Sequence, residues 1–174
     1  MKIAILGYSG SGKSTLARTL GEHYGLPVLH LDTVRFLPGW QVRDRESQRE
    51  LVRNFMDRNA EWIIDGTYSK LYYEERMEKA DPIVLLLFNR WSTLWRVTQR
   101  YLRYRGKSRP DIAAGCEEKL DGEFIRWVLW KGRGKKQRER FAALQRQYPD
   151  KCIVLKNQRQ LDRYLKTLDC RRFI

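Results

Sequence analysis

The chain has 174 residues, of which 42% are hydrophobic and 32% are charged, and its formal net charge is +14. This length and composition favour one globular domain with a sizeable core and exclude a disordered chain. No apolar stretch reaches the roughly 18 residues of a membrane span, and no signal peptide precedes the first predicted strand. We therefore expect a soluble, cytoplasmic protein with no membrane partner. Three scattered cysteines without a C-x-x-C spacing indicate reduced thiols rather than a disulfide framework or a zinc site.

The first predicted element is a short buried strand at residues 2–6, and the segment GYSGSGKS follows it at residues 7–14. Apolar residues at helical spacing come directly afterwards, until Gly25. Between a strand and a helix, the pattern G-x-x-x-x-G-K-[ST] predicts a loop that binds a nucleoside triphosphate through backbone N–H groups. Lys13 would reach the β- and γ-phosphates, and the Ser14 hydroxyl would bind Mg²⁺. We predict that these residues bind ATP: Gly7, Ser9, Gly10, Ser11, Gly12, Lys13, Ser14 and Thr15.

Strands alternate with helices along the rest of the chain. The further strands are predicted at residues 27–31, 62–64, 83–88 and 152–155. The further helices are predicted at residues 45–60, 70–80, 91–104, 123–130, 135–147 and 160–168. Glycine, proline and mixed charges predict a mobile loop at residues 106–122. The alternation predicts an α/β fold, a five-stranded parallel sheet with helices on both faces, in a single domain over residues 1–174.

Charged side chains follow the second and third predicted strands, at the edge where parallel sheets bind ligands. Asp65 is predicted to hold Mg²⁺ with Ser14, directly or through water; the alternative is an ordinary Asp-Gly turn. Asp32 is predicted to hydrogen-bond an acceptor hydroxyl and Arg35 to bind an anion; the alternative is a helix start with a local ion pair. We predict four residues around the acceptor: Asp32, Arg35, Trp40 and Asp65.

Arginines four residues apart, Arg96 and Arg100, share one face of a predicted helix. They lead into further cations: Arg103, Arg105, Lys107 and Arg109. Phosphoryl transfer needs positive charge around the moving phosphate and a cover that excludes water. The sequence therefore predicts a lid over about residues 96–134, and the alternative is a set of solvated surface arginines. We predict four catalytic residues: Lys13, Asp32, Arg96 and Arg100.

The positive charge is concentrated in the second half of the chain. Residues 1–89 hold 12 basic and 12 acidic side chains, whereas residues 90–146 hold 16 basic and 6 acidic ones. A phosphate-binding lid, a nucleic-acid surface or a solvated basic face would each account for this asymmetry. No helix-turn-helix, RNP or zinc-finger signature accompanies it.

Tryptophans outside the strands are expected to lie mostly in the core: Trp40, Trp91, Trp95, Trp127 and Trp130. Trp40 has a second interpretation, which is stacking against the acceptor. His23 and His30 have no partner pattern in the sequence, and we expect both to be structural.

Three stretches, GYSGSGKS, HLDTVRF and IIDGTY, resemble the adenylate-kinase-like P-loop kinases in order and spacing. More closely, the chain resembles the proteins labelled DNA topology modulation (FlaR-type). That likeness covers nearly the whole chain and lies in the stretches LDTVRFLPGW, WIIDGTYS, LWRVTQRYLRYRGKSRPD and GCEEKLDGEFIRWV.

The resemblance implies an ATP-dependent phosphotransferase with an Asp-x-x-Arg acceptor site, an arginine lid and an adenine pocket formed by residues 156–159 and Arg96. Adenylate kinases have a Pro-Arg after the Asp-Gly pair, where this chain has residues 67–70, TYSK. That departure counts against a nucleoside monophosphate as acceptor and leaves a nucleoside or another small hydroxyl compound. The family label implies an effect on DNA supercoiling.

Three functions follow from the sequence. The first is a kinase that transfers the γ-phosphoryl group of Mg²⁺-ATP to a small acceptor such as a nucleoside or nucleotide. The second is a DNA-associated ATPase or topology modulator that acts through the basic residues 90–146. The third is a nucleotide-binding regulatory protein that has lost turnover, against which the intact Lys13, Ser14 and Asp65 argue. The sequence predicts no oligomeric state.

Overall fold

The structure is a computed structural model that describes residues 1–106, 112, 115–118 and 120–170. Residues 169 and 170 are described for the backbone alone. The strands in these residues are β1 (Lys2–Gly7), β2 (Val28–His30), β3 (Phe36–Leu37), β4 (Gln41–Val42), β5 (Trp62–Asp65), β6 (Ile83–Leu86) and β7 (Cys152–Leu155). The α-helices are α1 (Lys13–Tyr24), α2 (Leu31–Arg35), α3 (Arg45–Arg58), α4 (Tyr73–Lys79), α5 (Arg90–Tyr104), α6 (Gly122–Leu129), α7 (Lys135–Gln147) and α8 (Gln158–Cys170). Single 3₁₀ turns lie at Pro38–Trp40 and Lys131–Arg133.

Five strands form one parallel sheet in the order β2-β5-β1-β6-β7, with β1 in the centre. Ile5 of β1 pairs with Asp65 of β5, and His30 of β2 pairs with the same Asp65 on its other side. On the opposite side of β1, Gly7 pairs with Leu86 of β6. The predicted α/β fold with a five-stranded parallel sheet is therefore confirmed. The register brings the ends of β1, β2, β5 and β6 level at one edge.

Helices cover both faces of this sheet because alternate side chains of each strand point in opposite directions. Ala4 and Leu6 belong to a core cluster that includes buried residues of α3, α4 and α7. Ile3 and Ile5 belong to a second cluster, with residues of α1 and α8. Burying a large aliphatic side chain fully contributes about 1.5–3 kcal/mol, so these two apolar layers are the main favourable contribution to folding.

The predicted elements differ from the structure mainly around β2. The predicted strand at residues 27–31 ends at His30, because Leu31 already begins the short helix α2. Helix α2 and the antiparallel pair β3–β4, whose strands have only two residues each, are not among the predicted elements. Strand β6 ends at Leu86, although the apolar run continues to Phe88, which is buried without being in the strand. Much of the loop predicted at residues 106–122 lies outside the described residues.

A buried arginine holds the segment that follows β5. Arg76 on α4 has no exposed surface, and its guanidinium donates to the carbonyl oxygens of Leu71 at 2.8 Å, Tyr68 at 3.0 Å and Gly66 at 3.3 Å. Burial lowers the pKa of Arg76 to about 10, which leaves the side chain charged at neutral pH. One side chain thus fixes residues 66–71, which border the cleft described below.

We expect Arg76→Leu to destabilise the protein by about 2–4 kcal/mol. The substitution leaves buried carbonyl oxygens without a donor, and the relief of burying a charge offsets only part of that cost. Urea unfolding checks this result, with Arg58→Leu at an exposed position of α3 as the control. An unfolding free energy for Arg76→Leu equal to that of Arg58→Leu would contradict the stabilising role of Arg76.

Candidate active site

The loop between β1 and α1 adopts a backbone conformation that requires glycine. Gly10 has φ of 76° and Gly12 has φ of 93°, in the left-handed region that side chains disfavour. The loop also packs directly on α5. A Cβ atom on Gly10 would overlap the Cγ2 methyl of Val97, and one on Gly12 would lie 2.6 Å from Nη1 of Arg96. These glycines therefore set both the turn and its close contact with α5.

Helix α1 begins directly after this loop with unsatisfied N–H donors. No side chain caps its N-terminus at Gly12, and no acidic residue lies in its first turn. Such a helix start combines free N–H groups with a partial positive charge, which favours a phosphate. The Nζ atom of Lys13 donates to the carbonyl oxygen of Tyr8 at 3.0 Å, and the Ser11 hydroxyl donates to the same oxygen at 2.8 Å. Lys13 thus lies over the loop, while Ser11 is fully buried and holds its shape.

Asp65 ends β5 beside this loop with one unsatisfied carboxylate oxygen. Its Oδ2 atom lies 3.1 Å from Nδ1 of His30. Its Oδ1 atom is buried and has no hydrogen-bond partner among the described residues. A buried carboxylate oxygen without a partner is costly, so its presence points to a ligand such as a metal ion or its bound water. Carboxylate and hydroxyl oxygens are ligands that Mg²⁺ prefers, so the donor types of Asp65 and Ser14 fit this ion.

Asp32 and Arg35 lie on α2, opposite an aromatic wall. The Tyr68 hydroxyl donates to Oδ1 of Asp32 at 2.5 Å. Burial, and then the negative charge of Asp32, raise the pKa of Tyr68 far above its usual value, so this hydroxyl stays a donor. The Arg35 guanidinium lies 5.2 Å from the Tyr68 ring centroid and 5.4 Å from that of Phe36, within cation–π distance.

Trp40 extends the same wall. Its indole N–H donates to the carbonyl oxygen of Glu117 at 3.0 Å, and its ring meets Phe36 edge-on at 5.2 Å. Trp40 also has φ of 64°, which is uncommon for a residue other than glycine. Contacts on both sides thus hold the indole in place.

Arg96 and Arg100 both reach the region of the loop, in different ways. Arg96 donates to the carbonyl oxygen of Ser11 at 3.4 Å and to the side-chain oxygen of Gln158, and it lies 4.7 Å from the Phe88 ring centroid. Burial lowers the pKa of Arg96. Arg100 instead forms an ion pair of 3.1 Å with the buried carboxylate of Glu118. Arg96 therefore connects the loop between β1 and α1 to the start of α8, while Arg100 holds the segment before α6.

One cleft of about 1410 Å³, called the main cleft below, brings nearly all the predicted site residues together. Those that line it are Gly7, Ser9, Gly10, Gly12, Lys13, Ser14, Thr15, Asp32, Arg35, Trp40, Asp65, Arg96 and Arg100. Ser11 is the exception because it lies beneath the loop. Of the other predicted lid cations, Arg103 lines the main cleft, whereas Lys107 and Arg109 lie outside the described residues.

Three residues of this region were missed in the sequence. His30 was expected to be structural, yet it contacts Asp65. Tyr68 contacts Asp32 across 36 positions of sequence, a pairing that only the fold brings about. Arg133 donates to the Phe88 carbonyl oxygen and to the Thr93 hydroxyl, both at 2.7 Å, and lies 4.1 Å from the ring centroid of Tyr8 in the loop.

The expectation that the tryptophans lie in the core is wrong for four of them. Trp91 and Trp95 on α5 are 68% and 65% exposed, and Trp127 and Trp130 are also exposed. Helix spacing explains the first pair, because α5 turns Thr93 and Val97 towards the core and its tryptophans away from it. Within the described residues, no helix is both long and apolar enough to cross a membrane.

Comparison with known proteins finds solved structures that share this fold, two of them kinases. No protein-family model and no curated protein matches the chain. Shikimate kinase from Acinetobacter baumannii in complex with shikimate is similar with a TM-score of 0.57 and 21% identity, over 97% of this chain and 91% of that one. Deoxyadenosine kinase from M. mycoides with bound dATP gives 0.54 and 18%, over 97% and 100%. An uncharacterized protein from Eubacterium ventriosum gives 0.54 and 20%, over 97% and 98%.

We expect Gly10→Ala to weaken binding of an adenosine triphosphate at least about tenfold, because the new methyl group would push the loop away from α5. Gly25→Ala is a matched control. Gly25 also has a positive φ, of 67°, but nothing lies within 4 Å of its added Cβ. The control should lose about 1 kcal/mol of stability and no affinity. Calorimetric titration measures the affinity of the two variants for the nucleotide. Equal losses of affinity in Gly10→Ala and Gly25→Ala would contradict the role of the contact with α5.

Proposed function

We propose that the chain is an ATP-dependent phosphotransferase that acts on a small acceptor with a hydroxyl group. The observation that carries this proposal is the shared main cleft. The glycine loop at the start of α1, Asp32 and Asp65 all line it, and one buried oxygen of Asp65 is unsatisfied. A volume of about 1410 Å³ exceeds that of ordinary single-ligand pockets, which run to about 1,000 Å³, so it has room for two substrates.

The nucleotide half of the site is the loop of residues 7–15. Backbone N–H groups and Lys13 would hold the phosphates, while Ser14 and Asp65 would hold Mg²⁺ directly or through water. Bound Mg²⁺ neutralises charge on the phosphates. The contact of Arg96 with Gln158, at the start of α8, supports an adenine site near residues 156–159.

The acceptor half lies between α2 and the segment after β5. Asp32 would receive a hydrogen bond from the acceptor hydroxyl, and the Tyr68 hydroxyl would keep Asp32 in that position. In the reaction, the acceptor oxygen forms a bond to the γ-phosphorus while the bond from that phosphorus to the β–γ bridging oxygen breaks. ADP leaves, and the hydroxyl proton passes to Asp32 or to water.

Positive charge around the transferred group would come from α5. Arg96 already contacts the loop, so it would stabilise charge on the phosphates without a large movement. Arg100 would first have to give up its ion pair with Glu118. Arg96 is therefore the better candidate for a catalytic arginine, and Arg100 would act only after the segment before α6 rearranges.

A second candidate is a nucleic-acid-associated ATPase, as the FlaR-type resemblance implies. One observation favours it: Trp91, Trp95, Trp127 and Trp130 are exposed within the basic residues 90–146. Proteins that bind single strands combine aromatic stacking with basic grooves. Such binding would weaken with salt, by roughly 0.7–0.9 decades of affinity per phosphate contact for each decade of salt.

We expect Lys13→Ala to lower acceptor-dependent ATP turnover at least about 100-fold, because the lysine would contact the γ-phosphoryl group that is transferred. Turnover of Mg²⁺-ATP is measured alone, with nucleosides, nucleoside monophosphates, shikimate, or DNA. Lys135→Ala, at an exposed position of α7, removes the same charge outside the main cleft and should keep full activity.

An increase in turnover with one small acceptor, lost in Lys13→Ala, would support the phosphotransferase. An increase only with DNA would contradict it and favour the second candidate. Loss of the activity in Lys135→Ala as well would contradict the specific role of Lys13.

A further inference from the structure

A second cavity, of about 450 Å³, adjoins the main cleft on its acceptor side. Arg35, Tyr68 and Ser69 line both, so they form the wall that the two share. The rest of this second cavity is formed by the segment from β4 to α3 and by the end of the segment after β5. Its remaining lining residues are Val42, Arg43, Arg45, Gln48, Lys70 and Leu71.

Among the described residues, all the charged side chains that line the second cavity are cations: Arg35, Arg43, Arg45 and Lys70. None of them forms an ion pair with a carboxylate among the described residues. By contrast, Arg53 on the neighbouring helix α3 is paired with Glu75 at 2.7 Å. Unpaired cations in a concave site concentrate positive potential, which an anion would relieve.

Hydrogen bonds hold the walls of the second cavity in place. The Arg43 backbone N–H donates to the Arg35 carbonyl oxygen at 2.8 Å, and its Nε atom donates to that of Val34 at 2.9 Å. The Gln48 side chain donates to the Arg43 carbonyl oxygen at 2.6 Å. On the other wall, Arg49 donates to the Lys70 carbonyl oxygen at 3.2 Å. The cations are therefore carried by a fixed backbone rather than by a solvated chain end.

We propose that the acceptor carries an anionic group, a phosphate or a carboxylate, that binds in the second cavity while its hydroxyl faces Asp32. This proposal rests on the proposed phosphotransferase function. Arg35 lies at the boundary, so it contacts both halves of such an acceptor. Arginine binds phosphate and carboxylate oxygens through two parallel N–H donors, and Lys70 adds a point charge.

Three residues of the segment TYSK, at positions 68–70, line the second cavity. That segment lacks the Pro-Arg of adenylate kinases, a departure that counts against a nucleoside monophosphate as acceptor. Lys70 and the two arginines of the β4–α3 segment supply positive charge in the second cavity. The class of acceptor is therefore a small hydroxyl compound that already bears a negative charge, rather than a neutral nucleoside.

The test measures anion binding directly, without turnover. The phosphate loop is first saturated with a non-hydrolysable ATP analogue and Mg²⁺, and inorganic phosphate or acetate is then titrated calorimetrically. The test variant is Arg45→Gln with Lys70→Gln. The control is Arg58→Gln with Lys166→Gln, which removes two exposed cations outside the second cavity.

We expect one further anion site on the wild-type chain, weakened at least about tenfold in the test variant and less than twofold in the control. Tighter binding of phosphate or of acetate tells which anionic group the acceptor bears. The absence of a further site, or equal binding by the wild-type chain and the test variant, would overturn the proposal.

Failure of this inference differs from failure of the proposed function. Acceptor-dependent turnover without an anion site would leave the phosphotransferase standing and require a neutral acceptor. An anion site lost in the test variant, in a chain without acceptor-dependent turnover, would support the anion site and remove the phosphotransferase.

Discussion

The register of the parallel sheet is the constraint on which the rest of the cleft depends. Backbone pairing aligns Ile5 with Asp65, Asp65 with His30, and Gly7 with Leu86. Because these pairs lie at the carboxyl ends of their strands, the glycine loop of residues 7–14, a carboxylate and an imidazole meet at one edge. A shift of one residue in β5 would move Asp65 to the other face, since side chains alternate along a strand.

Two arginines, one on α5 and one in the turn before α7, contact the loop at that edge. Arg96 contacts the carbonyl oxygen of Ser11, and Arg133 lies over the ring of Tyr8 in the same loop. Burial lowers the pKa of both arginines, because each guanidinium is partly removed from water. The buried Arg76 likewise contacts the segment after β5. Movement of α5 and of the turn before α7 is thus mechanically connected to the backbone that would hold the phosphates.

The sequence predicts the sheet and the loop well because their signals are local. Apolar runs define the strands, and the glycine spacing defines the loop whose positive φ angles the structure contains. The contacts of Tyr68 with Asp32 and of His30 with Asp65 join residues about 35 positions apart, and they depend on strand order and register. Exposure of Trp91 was mispredicted because composition does not say which face of α5 meets the core. Two-residue strands such as β3 carry too few residues for a periodic signal.

The measurement that tests the central claim most directly is the Mg²⁺ dependence of ATP affinity in the wild-type chain and in Asp65→Asn. The claim is that sheet register brings a phosphate loop and a metal-binding carboxylate to one edge. Mg²⁺ should tighten ATP binding in the wild-type chain. In Asp65→Asn, the increase in ATP affinity caused by Mg²⁺ should be smaller by about tenfold or more, whereas the affinity for metal-free ATP should stay the same. An equal gain in both proteins would contradict the account.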